Sequence, residues 1–215
     1  MRPLTYVNQP RIHADEFLAQ VQSSPHLYDY LPYGPFQTLE EFYKTFYDSR
    51  IKDDTGSVLF AVYNKNGKRE ILAGSLAYLN SSAPHLAVEI GHIVTFPAFQ
   101  RTHVTSNAVG LLMHYALDPP SAGGLGLRRV FWQANALNDK SVQAAQRMGF
   151  QWEAILRWDR VLPLGKEKAG NRKGERNEDP RPGRVGRDTA MLSICWDDWV
   201  GGSRQRVDDV MARTI

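Results

Sequence analysis

Cysteine is almost absent from this chain, and its scarcity excludes two classes of protein. Cys195 is the only cysteine among 215 residues, so the chain can build neither an internal disulfide framework nor a cysteine-based zinc cluster. Disulfide-free chains are typical of reducing compartments, and we therefore expect a cytoplasmic location.

Long apolar runs are also missing. No stretch approaches the roughly 20 apolar residues that a membrane helix requires. The first residues, MRPLTYVNQPRIHADEF, lack the apolar segment of a secretory signal. We therefore expect no membrane partner. With 42% hydrophobic residues, the chain can bury an ordinary core, and we expect a single domain over residues 1–215.

Net charge is small and concentrated in one segment. The chain has 26 Lys+Arg and 23 Asp+Glu, a formal charge of +3. Residues 165–188 contain eight basic and five acidic residues, which alone account for that charge. Because this segment has almost no apolar residues, the sequence predicts a flexible, charged hairpin loop at 165–187. Its mixed charges and lack of interleaved aromatics argue against nucleic acid as a partner.

The first half of the chain predicts helices followed by antiparallel strands. Residues 14–48 are helical in pattern, interrupted at 31–35 by LPYGP. Thr38 has the spacing of an N-cap, with Glu41 completing a capping box. Three strands follow at 58–63, 71–79 and 86–95, and Asn66-Gly67 predicts the hairpin between the first two.

The second half changes period after Pro97. The pattern predicts a helix at 105–117, a strand at 129–134, a helix at 139–148 and strands at 152–161 and 188–195, with a further helix from Trp196. Asn138 and Gly149 have cap positions around the second of these helices. The strand–helix–strand step in mid-chain implies one parallel pair. The fold class is therefore mixed α+β, with a mostly antiparallel sheet flanked by helices.

Two stretches in mid-chain resemble a known family. EIGHIVTFPAFQRTHVT, residues 89–105, looks like the strand, pyrophosphate loop and helix start of the GNAT acyltransferases. WQANALNDKS at 132–141, followed by AAQRMGF at 144–150, looks like their second half. GRDTA at 186–190 resembles a strand opening in the branch that includes the ribosomal-protein N-terminal acetyltransferases. The resemblance extends over about residues 14–199.

The resemblance implies an acetyl-CoA-dependent N-acetyltransferase without a metal. Acetyl-CoA would serve as co-substrate, and its acetyl group would pass directly to a primary amine in a ternary complex. In this family two parallel strands splay apart, and the pantetheine fills the gap. The residues that would hold the coenzyme come from the strand end, the phosphate loop and the second helix start: Ile93, Val94, Phe96, Arg101, Thr102, His103, Val104, Thr105, Asn138 and Ser141.

The phosphate loop departs from the common pattern of the family. Most members have glycines where Thr102 and Val104 stand, and a non-glycine residue at positive φ is destabilised by about 1–3 kcal/mol. Either this loop uses ordinary dihedrals or phosphate binding is weaker, and we favour the first. Asn107 stands where the branch usually has a glutamate. A helix N-terminus suits a pyrophosphate in any case, because its free amides and dipole attract anions.

Glu89 and Ser141 are the candidate catalytic residues. A carboxylate in a desolvated slot can take the proton that an ammonium acceptor must lose before attack. The alternative for Glu89 is a surface glutamate paired with a neighbouring strand. The resemblance places Ser141 near the sulfur, where a hydroxyl could protonate the departing thiolate, and Asn138 at the pantetheine. Capping the helix would by itself account for Asn138.

Aromatic residues beside the proline-glycine break are candidates for the acceptor site. In the family the N-terminal helices wall that site, so Tyr30, Tyr33 and Phe36 would line it, with core packing as an equal alternative. His92 and His103 lack partners at metal-ligand spacing, so we expect no zinc site.

Two other functions remain open at this level. One is a GNAT-fold module that binds acyl-CoA without transferring the acyl group. The other is a ribosome- or RNA-associated protein that uses the basic loop at 165–188. A small molecule or a protein N-terminus could be the acceptor, and the chain could be a monomer or a homodimer, because nothing in the sequence encodes either choice.

Overall fold

A seven-stranded mixed sheet organises the molecule. The computed structural model describes residues 2–3, 12–66 and 69–213. The strand order is β1-β2-β3-β4-β5-β7-β6, and all neighbours are antiparallel except β4 and β5. The strands are β1 (Arg2–Pro3), β2 (Val58–Asn66), β3 (Arg69–Ser82), β4 (Ala87–Thr95), β5 (Arg129–Asn135), β6 (Gln151–Val161) and β7 (Gly186–Cys195). The mixed fold class with one parallel pair is confirmed.

Helices cover both faces of this sheet. They are α1 (Ile12–Gln22), α2 (Leu39–Phe42), which continues as a wider π-helical coil through Tyr43–Lys52, α3 (His103–Leu117), α4 (Asp139–Arg147), α5 (Trp196–Asp198) and α6 (Arg204–Met211). The predicted caps are present: Thr38 Oγ1 accepts from the Glu41 amide at 3.1 Å, and Asn138 Oδ1 accepts from the Ser141 amide at 3.2 Å. Asn66 ends β2 as expected, whereas Gly67 lies outside the described residues.

Two hydrophobic clusters pack against opposite faces of the sheet. The first contains apolar residues of α3, α4 and α6, such as Met113, Ala145 and Val207. The second contains aromatic residues of α1 and of the α2 coil, such as Phe17 and Phe46. Both clusters include residues of β3 and β4, so the middle strands are buried on both sides.

The parallel strands separate soon after they meet. Pairing runs from Ala87↔Arg129 to Glu89↔Phe131, although β4 continues to Thr95 and β5 to Asn135. Backbone groups beyond Glu89 on the facing edges therefore have no partner strand, which leaves an edge to which an extended ligand can bind.

The charged segment after β6 is only partly an exposed loop, and this corrects the prediction for 165–187. Lys166 is buried and its Nζ donates to the Tyr28 carbonyl at 2.6 Å. The Ala169 carbonyl accepts from Asn135 Nδ2 at 2.8 Å. Only the part from Arg172 to Arg184 is consistently solvent-facing. The prediction failed at the start of the segment because a lysine can be buried when its ammonium reaches a carbonyl.

Candidate active site

Strand β4 has a bulge close to where it leaves β5. Ser75 pairs with Val94 whereas Ala77 pairs with Gly91, so between these two pairs β4 contains one more residue than β3. His92 occupies the bulge in a left-handed conformation, with φ of 48°. Bulges bend a strand and change the direction of its side chains, and they are frequent beside active sites.

Glu89 lies just before this bulge and is 4% exposed. Its Oε2 accepts a hydrogen bond from Asn80 Nδ2 at 2.6 Å. Burial raises the pKa of Glu89. The hydrogen bond from Asn80 and the positive charges of the nearby Arg160 and Arg187 each lower it, but together they offset only part of that rise. A desolvated carboxylate with a raised pKa is well suited to accept a proton near neutral pH.

A second bulge brings charged residues of β6 toward the same face of the sheet. Leu156 pairs with Thr189 and Arg160 with Arg187, so the residues between them on β6 loop out around Trp158, whose φ is 54°. Asp159 Oδ2 accepts from Thr189 Oγ1 at 2.7 Å, and the Arg160 Nη2 donates to Gln133 Oε1 at 2.9 Å. Together with Glu89 of β4, these groups form one polar region that extends over β5, β6 and β7.

Tyr33 and His92 form a buried pair beside this region. The Tyr33 hydroxyl is hydrogen-bonded to His92 Nδ1, and the His92 ring stacks on Phe46 with centroids 4.3 Å apart. Burial lowers the pKa of His92 to about 3, and Arg50 contributes to this. His92 is therefore neutral at physiological pH, and its part here is to hold Tyr33 in position.

The three aromatic residues predicted for the acceptor site occupy different environments. Tyr33 contacts His92 and lies within electrostatic range of Glu89. Tyr30 is exposed. Phe36 is fully buried between Tyr28 and Phe42, so it contributes packing to the second cluster. Among the three, Tyr33 is the residue that the fold brings to the polar region.

The loop before α3 uses ordinary dihedrals at both of its unusual positions. Thr102 is extended, with φ of −108°, and caps α3 by accepting from the Val104 amide at 3.3 Å. Val104 lies in the first turn of α3 and is buried. Arg101 instead takes the left-handed conformation, φ 62°. Of the two explanations for the missing glycines, the first is confirmed for Thr102 and Val104.

A small cleft separates the end of β4 from the start of α3. Ile93, Thr95 and Thr105 line it together with Gly74, and the hydroxyls of Thr95 and Thr105 lie 2.8 Å apart. His103 begins α3 at the edge of this region. The cleft therefore brings together strand-end and loop residues that the sequence assigned to the coenzyme.

Phe96 does not join that group, which corrects its assignment. Its amide donates to the Ala73 carbonyl at 2.9 Å, and its ring is buried in the second cluster against Phe17. The Val94 side chain also belongs to that cluster. Side chains alternate along a strand, so Ile93 and Thr95 face the cleft while Val94 and Phe96 face the opposite side.

Ser141 lies at the start of α4, against Trp132 of β5. Its Oγ accepts from Trp132 Nε1 at 3.0 Å, which leaves the hydroxyl proton free to donate elsewhere. Trp132 is buried in the first cluster, so the indole fixes the position of the serine. Asn138 caps the same helix.

One group of potential metal ligands occurs in the described part of the chain, at Cys195, Asp197 and Asp198. Asp198 is already engaged there: its oxygens accept from Gln151 Nε2 at 2.7 Å and from the Cys195 amide at 3.0 Å. This arrangement begins helix α5, away from the polar region around Glu89.

Comparison with known proteins shows the family of the chain. The profile of the acetyltransferase (GNAT) domain matches residues 5–151. The chain belongs to the GNAT acetyltransferase family. Comparison with curated protein sequences gave no match.

Solved GNAT structures share the fold over nearly the whole chain. A GCN5-related N-acetyltransferase from Brucella melitensis has a TM-score of 0.74 and 26% identity, covering 98% of this chain and 81% of that one. A probable acetyltransferase of the GNAT family from Chromobacterium violaceum has a TM-score of 0.70 and 27% identity, with 93% and 83% covered. Spermidine N-acetyltransferase from Vibrio cholerae, solved with CoA and spermine, shares the fold at a TM-score of 0.61 and 16% identity, with 93% and 96% covered.

No helix in residues 12–66 and 69–213 is both long and apolar enough to cross a membrane.

Several residues of the polar region around Glu89 escaped sequence reasoning, namely Asn80, Asp159, Arg160 and Arg187. Arg187 was counted with the charged segment because β7 was expected to start at Asp188, whereas it starts at Gly186. Strand alternation with the inward-facing Thr189 would have placed Arg187 on the same face.

Proposed function

We propose that this protein is an N-acetyltransferase that transfers acetyl from acetyl-CoA to a primary amine in a ternary complex, with Glu89 as the general base. The observation that carries this proposal is the buried Glu89 carboxylate on β4, at the last residue that pairs with β5. A base at this point would meet an acceptor amine where the two strands begin to part.

The chain's own residues suit acetyl-CoA. The separated edges of β4 and β5 offer main-chain partners to an extended pantetheine. The N-terminus of α3, with Arg101 beside it, offers amides and positive charge to a pyrophosphate. Ile93, Thr95 and Thr105 line the small cleft between the end of β4 and the start of α3. When bound, acetyl-CoA supplies the acetyl group as a thioester and a sulfur leaving group.

Each protein group then has one task. Glu89 takes a proton from the acceptor's ammonium, directly or through water, so that the nitrogen lone pair can attack the carbonyl carbon. The amide of Ile93 polarises the carbonyl oxygen, since Val94 is paired with Ser75 of β3 and the Phe96 amide is already bonded to Ala73. As the carbon–sulfur bond breaks, the Ser141 hydroxyl, oriented by Trp132, donates its proton to the departing sulfur, and the second proton lost by the acceptor nitrogen restores the hydroxyl.

Release of free CoA from acetyl-CoA tests the proposal. The purified full chain would be incubated with acetyl-CoA and a panel of amino acids, peptides, polyamines and amino sugars, with thiol formation followed and products identified by mass spectrometry. We expect amine-dependent release with at least one class. Acetyl-CoA that binds in calorimetry but never yields CoA with any amine would overturn the transferase and leave a binding module.

Arg101→Ala tests the coenzyme site separately. We expect a higher KM for acetyl-CoA with a smaller effect on kcat, because a pyrophosphate contact is similar in the ground and transition states. Arg101→Lys, which keeps the charge, is the matched control and should lie between wild type and Arg101→Ala. An unchanged KM in steady-state kinetics would exclude Arg101 from the site.

A further inference from the structure

Arg187 is a buried guanidinium without a partner. The residue is 4% exposed, and its Nε is fully buried and donates a hydrogen bond to no acceptor. Within the described ranges 12–66 and 69–213, no carboxylate forms an ion pair with Arg187. A buried charge without a partner is unfavourable, so such groups are usually paired or bind a ligand.

The nearby carboxylates are already engaged. Asp159 Oδ2 accepts from Thr189 Oγ1 at 2.7 Å and from Arg160 Nε at 3.2 Å. Glu89 Oε2 accepts from Asn80 at 2.6 Å. Both carboxylates attract Arg187 at longer range, yet burial and the neighbouring Arg160 together lower the pKa of Arg187 to about 10. Burial is the larger of these two causes, and contact with an anion would offset it.

Positive charge exceeds negative charge in this region. Arg160 and Arg187 lie on the face of the sheet that holds Glu89, and both are within electrostatic range of its carboxylate. Arg50 adds a third guanidinium, 5.3 Å from the Tyr33 ring centroid. The basic segment 165–188 leads directly into β7, and would attract anions toward this side of the molecule.

We propose that Arg187, with Arg160, forms an oxyanion subsite beside Glu89, so that the acceptor carries a carboxylate or phosphate in addition to its amine. This inference rests on the proposed N-acetyltransferase function and names its substrate class. Guanidinium groups bind planar carboxylates and phosphates through paired charge-assisted hydrogen bonds. The amine would then face Glu89 while the oxyanion meets Arg187. A polyamine, which carries several positive charges and no anion, is a poor match for this subsite.

Arg187 could instead act only by lowering the pKa of Glu89. The two roles predict different results. A tuning residue affects every acceptor alike, because it changes the base. An oxyanion ligand affects only acceptors that carry the oxyanion.

Matched acceptor pairs measure the difference. The full chain would be assayed for CoA release with amino acids and dipeptides against their amides, with amino-alcohol phosphates against the parent amino alcohols, and with spermidine. We expect kcat/KM to be about 10- to 100-fold higher for the oxyanion member of a pair, the range set by a hydrogen bond to a charged group. The carboxylate and phosphate pairs separate the two possible anions.

Arg187→Met is the decisive variant, since it keeps much of the volume and removes the charge. We expect it to abolish the preference within each pair, mainly through KM. Any effect of Arg187 on the pKa of Glu89 is common to both members of a pair and cancels in their ratio. Arg187→Lys should restore part of the preference. Arg172→Met, at an exposed position, is the control and should behave as wild type. Equal losses for all acceptors in Arg187→Met would overturn the subsite, as would a wild-type preference for spermidine.

Thermal unfolding provides a readout that does not depend on turnover. Inorganic phosphate should raise the Tm of wild type more than that of Arg187→Met, while any anion bound near Arg101 contributes equally to both proteins. Arg187→Met should itself unfold at or above the wild-type Tm, because it removes an unpaired buried charge. Absence of CoA release with every amine would count against the proposed function. Equal phosphate shifts in the two proteins would count against the subsite alone.

Discussion

At Glu89, opposing effects act on one carboxyl group. Burial and the negative charge of Asp159 favour the protonated form. The Asn80 amide, Arg160 and Arg187 favour the carboxylate. Burial has the largest effect, so the pKa is raised. The sequence places Glu89 on a strand, but the desolvation that tunes it comes from the packing of other elements.

Glu89→Gln should keep the shape and a hydrogen bond to Asn80 while removing the base. General-base assistance is typically worth about 10²–10⁴ in rate, so we expect kcat to fall at least tens of fold with little change in coenzyme affinity. Glu153→Gln on β6 is the control. In the wild type, Glu153 Oε2 accepts a hydrogen bond from Arg129 Nη2 at 2.6 Å. Near-normal turnover in Glu89→Gln would exclude Glu89 as the base.

The pH profile follows from the direction of the shift. Glu89 acts when ionised, so wild-type kcat/KM should fall as pH drops through its raised pKa, and this limb should weaken in Glu89→Gln. A raised pKa in the folded state also means that ionised Glu89 opposes folding at high pH. Glu89→Gln should therefore be at least as stable as wild type at neutral pH in urea denaturation.

Among the elements, α6 depends on one carboxylate at the end of α3. Asp118 accepts from Trp199 Nε1 at 2.9 Å and Arg204 Nε at 2.9 Å, and bonds His114 at 2.9 Å. Burial by itself would raise the pKa of Asp118, but the hydrogen bonds from Arg204, His114 and Trp199 outweigh it and lower the pKa to about 2.

Asp118→Asn should therefore loosen the C-terminal helices. Hydrogen bonds to a charged group are worth about 1.5–3 kcal/mol each, and we expect the free energy of unfolding to fall by about 2–3 kcal/mol. The wild-type contribution is complete above the ordinary Asp pKa and is lost as pH falls toward 2. Chemical denaturation between pH 7 and 2 measures both effects. Asp209→Asn, exposed on α6, should change stability little.

The connection between β6 and β7 should divide into a structural and a dispensable part. Replacing residues 174–183 by a short Gly-Ser linker should leave the Tm within a few degrees, because these side chains are largely solvated. Lys166→Ala should lower it, because the Tyr28 carbonyl loses its donor. Thermal unfolding of both variants tests the division, and a large loss on replacing 174–183 would contradict it.

For the whole molecule, the shared sheet predicts a single cooperative unit. Both core clusters include residues of β3 and β4, so neither cluster can unfold without exposing apolar surface of the other. Guanidinium unfolding followed by tryptophan fluorescence, which reports on Trp132 and Trp199 of the first cluster, should coincide with far-UV circular dichroism. Separate transitions would contradict a single domain over 1–215.

Much of this architecture could be predicted from local patterns. Apolar periodicity placed α3, α4 and six strands, β2 to β7, because helix and strand periods differ and the caps at Thr38 and Asn138 are local chemistry. The strand–helix–strand order along the chain also predicted the parallel pair, because a helical crossover returns the second strand in the direction of the first. The candidate base Glu89 and the loop at 101–105 also stand in contiguous motifs, so the sequence by itself determined the fold and the family.

Only the tertiary structure decided how residues distant in the chain meet. The left-handed conformations of His92 and Trp158 come from bulges, whose position depends on the register with a neighbouring strand. Phe96 faces the core because of alternation beyond that bulge, and Lys166 is buried because Tyr28, far away in sequence, supplies a carbonyl. Arg187 joins Glu89 for the same physical reason: burial and charge are properties of the assembled sheet, and no local pattern records them.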